Sequence, residues 1–299
     1  MNTRSGRGER RYRRARRLLA AAGVELGLAM AVRDPAELPG RVAAAVAAGC
    51  DPIIIGAGDG TIAAALPALV GRPVALGVLP LGTSNSLARA LGIPRRLGPA
   101  VAVIAGGRVV AIDVGRANGR YFLNTLSIGL ANAVVREAAP ALKRSLRVLA
   151  YGLALPRALL RHRAFRARLV AGDRTVAVRT HQVVVANGPH IGIGGFNLPV
   201  GPGAAIDDRR LTVFTLAGAT RWQLLRRSLA LVLGRHAADP EARSFTAGAL
   251  TIAAEPPQAV RLDGERAGYT PVAVEQARAA LRVIAPPGFG EGSGLRAQD

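Results

Sequence analysis

The chain is predicted to fold as an α/β domain with a doubly wound, mainly parallel sheet, followed by a largely antiparallel β domain of sandwich type. Three observations carry this. Helical segments and strand-sized apolar runs alternate through about residue 113. Two glycine-rich turns, at residues 56–61 and 80–86, each follow a short apolar run and precede a helical segment. Beyond about residue 115 the alternation gives way to strand-like runs separated by turn residues.

Taken in order, residues 2–8 are polar and turn-like. They lead into an arginine-rich helix at about 9–22, with Tyr12, Leu18 and Leu19 as its apolar points. Residues 24–32 read as a strand, and Pro39 opens a helix to about Ala48. Three β-branched residues, Ile53 to Ile55, follow Pro52 and read as a strand buried on both faces. The first glycine turn comes next, with an Ala-rich helix at 62–70. A strand at 74–79, the second glycine turn, a helix at 87–91, a helix opened by Pro99 and a strand at 108–114 complete the α/β domain, residues 1–113. In the second domain, 114–285, strands are expected at 120–126, 164–170, 176–187, 211–216, 250–253, 259–262 and 281–285. Helical inserts are expected near 142–161 and 221–235. The Gly- and Pro-rich stretch 286–299 reads as a disordered tail.

Composition narrows the chemistry. The chain has 299 residues and a net charge of +21, from 40 basic against 19 acidic side chains, and Lys143 is its one lysine. Excess Arg, Ala and Gly also follows from GC-rich coding, so part of this charge is compositional. The remainder favours an anionic partner. A lone lysine outside any Gly-x-x-x-x-Gly-Lys-Ser/Thr loop excludes the P-loop and protein-kinase phosphate clamps. The single cysteine, Cys50, excludes an internal disulfide and multi-cysteine metal sites. No apolar run reaches the roughly 18 residues of a membrane span. Nucleic-acid binding is disfavoured, because aromatics make up only 4% and no aromatic strand or metal knuckle stands out.

Strand, glycine turn and helix together aim backbone N–H groups and a helix N-terminus at an anion. Gly58 and Gly60 permit close approach to a phosphate or a positive φ. Asp59 reads either as an N-cap or as a carboxylate acting with a metal ion or in proton transfer. In the second turn Thr83 offers a hydroxyl and Asn85 an amide; a plain helix cap is the alternative there. Asp113 closes a strand, where a turn former is the alternative reading; beside Asp59 it would suit Mg²⁺, which takes hard oxygen ligands and keeps several waters. Asp207 and Asp208 form a second acidic pair, with a hairpin turn as the alternative. Asp263-Gly264 favours a type I′ hairpin turn, and Glu265 beside it is a candidate general base.

In order and spacing these segments resemble the diacylglycerol kinase catalytic family, soluble bacterial lipid kinases related to sphingosine kinases. The segments are Asn2-Thr3-Arg4-Ser5-Gly6, Ala57-Gly58-Asp59-Gly60-Thr61, Pro80 to Arg89, Asp113-Val114-Gly115 with Phe122 and Asn124, Pro202 to Asp208, and Asp263-Gly264-Glu265. The resemblance implies ATP in a cleft between the α/β domain and the β-sandwich. It implies ATP contacts from Asn2, Ser5, Gly6, Gly58, Asp59, Gly60, Thr61, Thr83 and Asn85. Asp59 and Asp113 would join an Asp–water–Mg²⁺ network, Asp208 would bind a structural Mg²⁺, and Glu265 would take the proton of a lipid hydroxyl, diacylglycerol by default. This sequence departs from the family at Thr3, Ala57, Ala63-Ala64, Ser86, Arg209, and Ala31-Val32. The family's first strand precedes the Asn motif, whereas this chain begins at Met1-Asn2, so that strand is expected upstream of residue 1.

A lipid kinase without a span has to visit the membrane from the cytoplasm. Residues 142–168 interleave leucines with basic side chains and are the expected contact with an anionic leaflet; a solvated helix packed on its own domain is the alternative. Two rival functions remain open at this level: an NAD kinase-like enzyme, and a non-catalytic nucleotide- or lipid-binding protein. Oligomeric state is open as well, a homodimer included.

Overall fold

The structure is a computed structural model. It describes residues 1, 8–137, 157–158, 160–193, 196–200, 204–216, 223–224 and 242–290. The chain divides into two units: residues 1–114, 205–208 and 278–299, and residues 115–204 and 209–277.

In the first unit, helix α1 (Gly8–Ala21) buries Gly8, Ala15 and Leu19 along one stripe and exposes its arginines. Helix α2 (Leu38–Ala47) buries Leu38, Val42 and Ala45. Strand β1 (Ile53–Ala57) and strand β2 (Ala75–Pro80) pair in parallel, from Ile53↔Leu76 to Ala57↔Pro80. Helix α3 (Asp59–Leu69) crosses between them. Every residue of β2 is buried, as a parallel strand covered on both faces requires. Helices α4 (Ser86–Ala90) and α5 (Leu97–Gly106) follow, and strand β3 (Arg108–Ala117) runs out of this unit into the next.

The second unit is built from antiparallel strands. After β3 come β4 (Arg120–Phe122), β5 (Thr125–Gly129), helix α6 (Leu130–Glu137), β6 (Phe165–Ala171), β7 (Arg174–Thr180), β8 (Gln182–Ala186), β9 (His190–Ile193) and β10 (Phe196–Pro199). Then follow β11 (Leu211–Leu216), β12 (Ala242–Ala247), β13 (Ala249–Glu255), β14 (Ala259–Leu262), β15 (Glu265–Tyr269) and β16 (Val272–Ala285). One layer has the order β12-β11-β8-β5-β14-β15; the other contains β16-β13-β6-β7 with β3 and β4. Phe122, Leu126, Phe165, Leu169, Val185, Val213, Ile252 and Val274 meet in one core. This is the expected sandwich. Past residue 277, β16 returns to the first unit and pairs with β2 in parallel, Arg282↔Ala75 and Val283↔Leu76.

Several expected elements differ. Residues 24–32 form no strand: Val32 alone makes a bridge, its N–H donating to Met1 O at 2.8 Å. The expected strand at 120–126 is cut at Leu123-Asn124, whose backbone turns towards Asp263 instead of a neighbouring strand. The run 176–187 breaks at His181, where the chain leaves one layer for the other; Thr180 Oγ1 donates to Leu216 O at 2.8 Å across that corner. Expected disorder from residue 286 does not extend to 287–290, which form a turn whose Phe289 carbonyl accepts from Arg108. The insert 221–235 lies outside the described residues apart from Gln223-Leu224, which are helical. Most of 142–161 lies outside them too; within the basic stretch, the strand expected at 164–170 is present as Phe165–Ala171.

Candidate active site

The two glycine turns form one object. They sit at the carboxyl ends of β1 and β2, and Leu81 N–H donates to Ala57 O at 3.1 Å. A Cβ placed on Gly82 would lie 2.5 Å from Gly58 Cα, and one on Gly58 would lie 3.1 Å from Gly82 Cα. The backbones therefore touch where side chains would stand. Neither glycine has a positive φ, so close approach is what demands glycine here. A Cβ on Gly60 would meet nothing within 4 Å. Gly60 instead leaves open space over the start of α3, where the helix N-terminus favours an anion.

Asp59 welds the turns together. It does not cap its own helix, whose N-cap is Gly58. Its Oδ2 accepts from Ser86 N at 3.0 Å and its Oδ1 from Leu87 N at 3.1 Å, so it caps α4 instead. A carboxylate that accepts from two N–H groups of a helix start keeps lone pairs for other partners. Asn85 holds the second turn. It stands at φ 49° and ψ 51°, its Oδ1 accepts from Gly82 N at 2.8 Å, and its Nδ2 donates to Gly82 O at 2.9 Å. Both ends of its amide are thus engaged with Gly82. Thr83 is exposed, and Arg95 donates to its carbonyl at 3.2 Å. Thr61, half-buried, lies in the first turn of α3, with its N–H on Gly58 O at 3.0 Å.

Asp113 is buried on β3. Its Oδ1 accepts from Ala279 N at 2.7 Å, and its N–H donates to Ile206 O at 2.9 Å. Two sequence-distant segments of the first unit, 205–208 and the part of β16 beyond residue 277, thereby meet at this carboxylate. Asp208 closes its own loop, accepting from Ala205 N at 3.0 Å. Arg209 takes φ 60°, the left-handed region that favours glycine. Among the described residues no three His, Cys, Asp or Glu side chains cluster as a metal site. The carboxylates suit a cation carried largely by water and phosphate oxygens, the usual Mg²⁺ arrangement, rather than a cage of protein ligands alone.

Glu265 belongs to the second unit. It opens β15 after a hairpin turn in which Asp263 has φ 47° and Gly264 φ 89°, as a type I′ turn demands. Glu265 is exposed. The turn that carries it is pinned by Asp263, whose Oδ2 accepts from Leu123 N at 2.7 Å and whose Oδ1 accepts from Asn124 N at 2.9 Å and Thr125 N at 3.0 Å. Asn187 completes the anchor, its N–H donating to Asn124 O at 2.9 Å and its Nδ2 to Leu123 O at 3.0 Å.

Sequence reasoning named the turns, Asp59, Asp113, Asp208 and Glu265, and the structure joins Gly58, Asp59, Gly82 and Asn85 directly. Asn2, Ser5 and Gly6 lie outside the described residues. Asp263 as an anchor, Arg95 and Ala279 were missed. For Asp263 the signal was present, since an Asp in a hairpin turn has a carboxylate free to collect N–H groups. Nothing in the sequence marks the partners of Arg95 or Ala279.

Comparison with known proteins adds a family. The model for the diacylglycerol kinase catalytic domain matches residues 1–117, and that for the YegS C-terminal NAD kinase beta sandwich-like domain matches residues 124–285. A diacylglycerol kinase of Mycobacterium tuberculosis is 31% identical over 252 residues, covering 82% of this chain and 80% of the relative. One from Bacillus subtilis is 30% identical over 231 residues, covering 74% and 73%. An uncharacterized Synechocystis protein is 28% identical over 239 residues; the match spans 78% of this chain but 54% of that longer protein. In fold, a crystal structure of a diacylglycerol kinase from Bacillus anthracis covers 91% of this chain and 89% of its own with a TM-score of 0.69 at 21% identity.

Proposed function

This chain belongs to the diacylglycerol kinase catalytic-domain family, and we propose that it is a lipid kinase transferring the γ-phosphate of ATP to a lipid hydroxyl, diacylglycerol by default. The observation that carries the reading is the contact of the two glycine turns, with Asp59 spanning them. Backbone packed this closely, at the start of α3, offers a phosphate N–H groups with no side chain in the way. Gly58, Gly60 and Thr61, with the Thr83 hydroxyl, would hold the nucleotide phosphates. Asn2, Ser5 and Gly6 are proposed to contribute by family likeness alone. Asn85 serves by shaping the second turn.

Mg²⁺, when bound, neutralises charge on the phosphates. Asp59 and Asp113 would hold it through water, and Asp208 would hold a second, structural ion. Glu265 takes the proton from the acceptor hydroxyl as its oxygen bonds to the γ-phosphorus and the bond to the ADP oxygen breaks. Phosphoryl transfer asks mostly for positioning and electrostatics, so few reacting side chains are needed. Among the described residues no helix is long and apolar enough to cross a membrane. The enzyme is proposed to meet its acceptor from the cytoplasm, at the membrane surface.

The test is transfer of labelled phosphate from Mg·ATP to diacylglycerol and to a total bacterial lipid extract, with NAD as a separate acceptor. A labelled lipid is expected that falls at least about a hundredfold with Asp59→Asn and by a similar factor with Glu265→Gln. Label on NAD and none on lipid would overturn the acceptor class. ATP binding without transfer to any acceptor would overturn the enzyme.

A further inference from the structure

The outer face of the sandwich carries arginines that form no ion pair among the described residues. In β6, Phe165, Ala167 and Leu169 point into the core, so Arg166 and Arg168 point out. In β7, Val176 and Val178 lie against the core, so Ala177 and Arg179 point out. The register sets Arg166 directly opposite Arg179 and Arg168 opposite Ala177. On the other side, β13 brings Glu255 beside Arg166 and Ala253 beside Arg168. The three guanidinium stems thus rise from a patch with roughly 5–7 Å between neighbouring attachment points, over a floor of alanine. The floor is a surface depression of about 440 Å³.

Two like charges directly opposite each other in a sheet cost stability. Glu255, across from Arg166 in the register, is the acid placed to offset part of that cost. The ion pairs among the described residues join Arg13, Arg41, Arg116 and Arg161 to acids, and none takes Arg166, Arg168 or Arg179. Glu255, the one acid on the patch, pairs with none of them. A sheet face carrying several guanidinium groups without an ion pair among the described residues, each a fork matched to phosphate oxygens, asks for several anions presented side by side. The patch offers no aromatic platform for stacked bases, which argues against a nucleic acid.

We propose that this face of β13, β6 and β7 is a docking surface for the anionic phospholipid headgroups of a bilayer. It deepens the lipid-kinase reading and rests on it for the choice of a membrane as the planar anion. Docking here uses the sheet, and of the basic stretch 142–168 it draws on the strand residues Arg166 and Arg168.

Flotation of the full chain with vesicles of phosphatidylcholine, with and without phosphatidylglycerol, tests the proposal without any turnover, so it fails or succeeds separately from the kinase assay. The protein is expected to float with the anionic vesicles, and less so as salt rises. The triple variant R166Q/R168Q/R179Q is expected to bind them about a hundredfold more weakly. Glu255→Gln, which removes the only acid, is expected to bind about fivefold more tightly, a gain that misfolding cannot mimic. Equal binding by wild type and triple variant, no gain in Glu255→Gln, or equal flotation with phosphatidylcholine alone would overturn the proposal. Loss of vesicle binding in the presence of inorganic phosphate at unchanged ionic strength would overturn it in favour of a soluble-anion site.

Discussion

Asp59 combines two tasks in one carboxylate. It caps α4 through Ser86 and Leu87, and in the proposed reaction it faces the cation. The tasks separate in measurement. Asp59→Asn retains one acceptor oxygen, so thermal unfolding should show a loss of only about 1 kcal/mol, the size of a helix cap. Transfer, if the reading holds, falls far more than that. A stability loss large enough to account for the missing activity would reduce Asp59 to a structural cap. Arg209 is the opposite case, a residue whose backbone conformation fits another amino acid. At φ 60° it bears a left-handed penalty of roughly 1–2 kcal/mol that glycine escapes, partly offset by glycine's greater freedom when unfolded. Arg209→Gly should therefore unfold at higher denaturant than Arg209→Ala, because both lose the arginine's own interactions and only the alanine keeps the backbone penalty. Equal midpoints would show that the left-handed conformation costs alanine nothing here.

At the scale of elements, the hairpin turn before Glu265 depends on the interrupted strand beside it. Asp263 collects three consecutive N–H groups from residues 123–125, and hydrogen bonds to a charged group are worth about 1.5–3 kcal/mol each at most. Asp263→Ala should cost about 3 kcal/mol or more by denaturant titration and lower transfer by displacing Glu265. Unchanged stability would mean that water replaces the carboxylate. The neighbouring Asp-x-Gly pattern has an equally local cause. Gly115 faces Phe122 in register, and a Cβ there would lie 2.1 Å from the ring of that fully buried phenylalanine. Gly115→Ala should cost about 1–3 kcal/mol through overpacking. These elements also mark how far the sequence could be read. Strands β1 and β2 were legible because β-branched and apolar runs ended in glycine turns, and the 263–264 turn because Asp-Gly has one preferred geometry. The break at Leu123-Asn124 was not legible, since its cause lies 140 residues away in Asp263. Residues 24–32 misled because an apolar run signals burial without saying whether a neighbouring strand is there to pair. Asn85 looked like a ligand because an amide that clamps its own turn has the same letter as one that faces a phosphate.

At the scale of the molecule, the first unit is discontinuous along the chain. Residues 1–114 need 205–208 and 278–299 to complete it. Sequence gave no hint of this, because the run Leu281 to Ala285 has the same pattern whichever sheet receives it. The consequence is physical. One edge of β2 is covered by β1 and the other by the last turns of β16, with Arg282 and Val283 opposite Ala75 and Leu76. Ala280 O accepts from Gly71 N at 2.8 Å, and Ala279 N supplies the hydrogen bond on Asp113. Residues 1–117 expressed alone would therefore expose an edge of a strand buried on both faces and leave a buried carboxylate short of its donor. Such a fragment should lack cooperative thermal unfolding and aggregate. Adding residues 278–290 in trans as a peptide should restore protection of the β2 amides in hydrogen exchange. A fragment 1–117 that unfolds cooperatively without the peptide would show that the returning strand is an accessory, and that the α/β half folds from its own sequence.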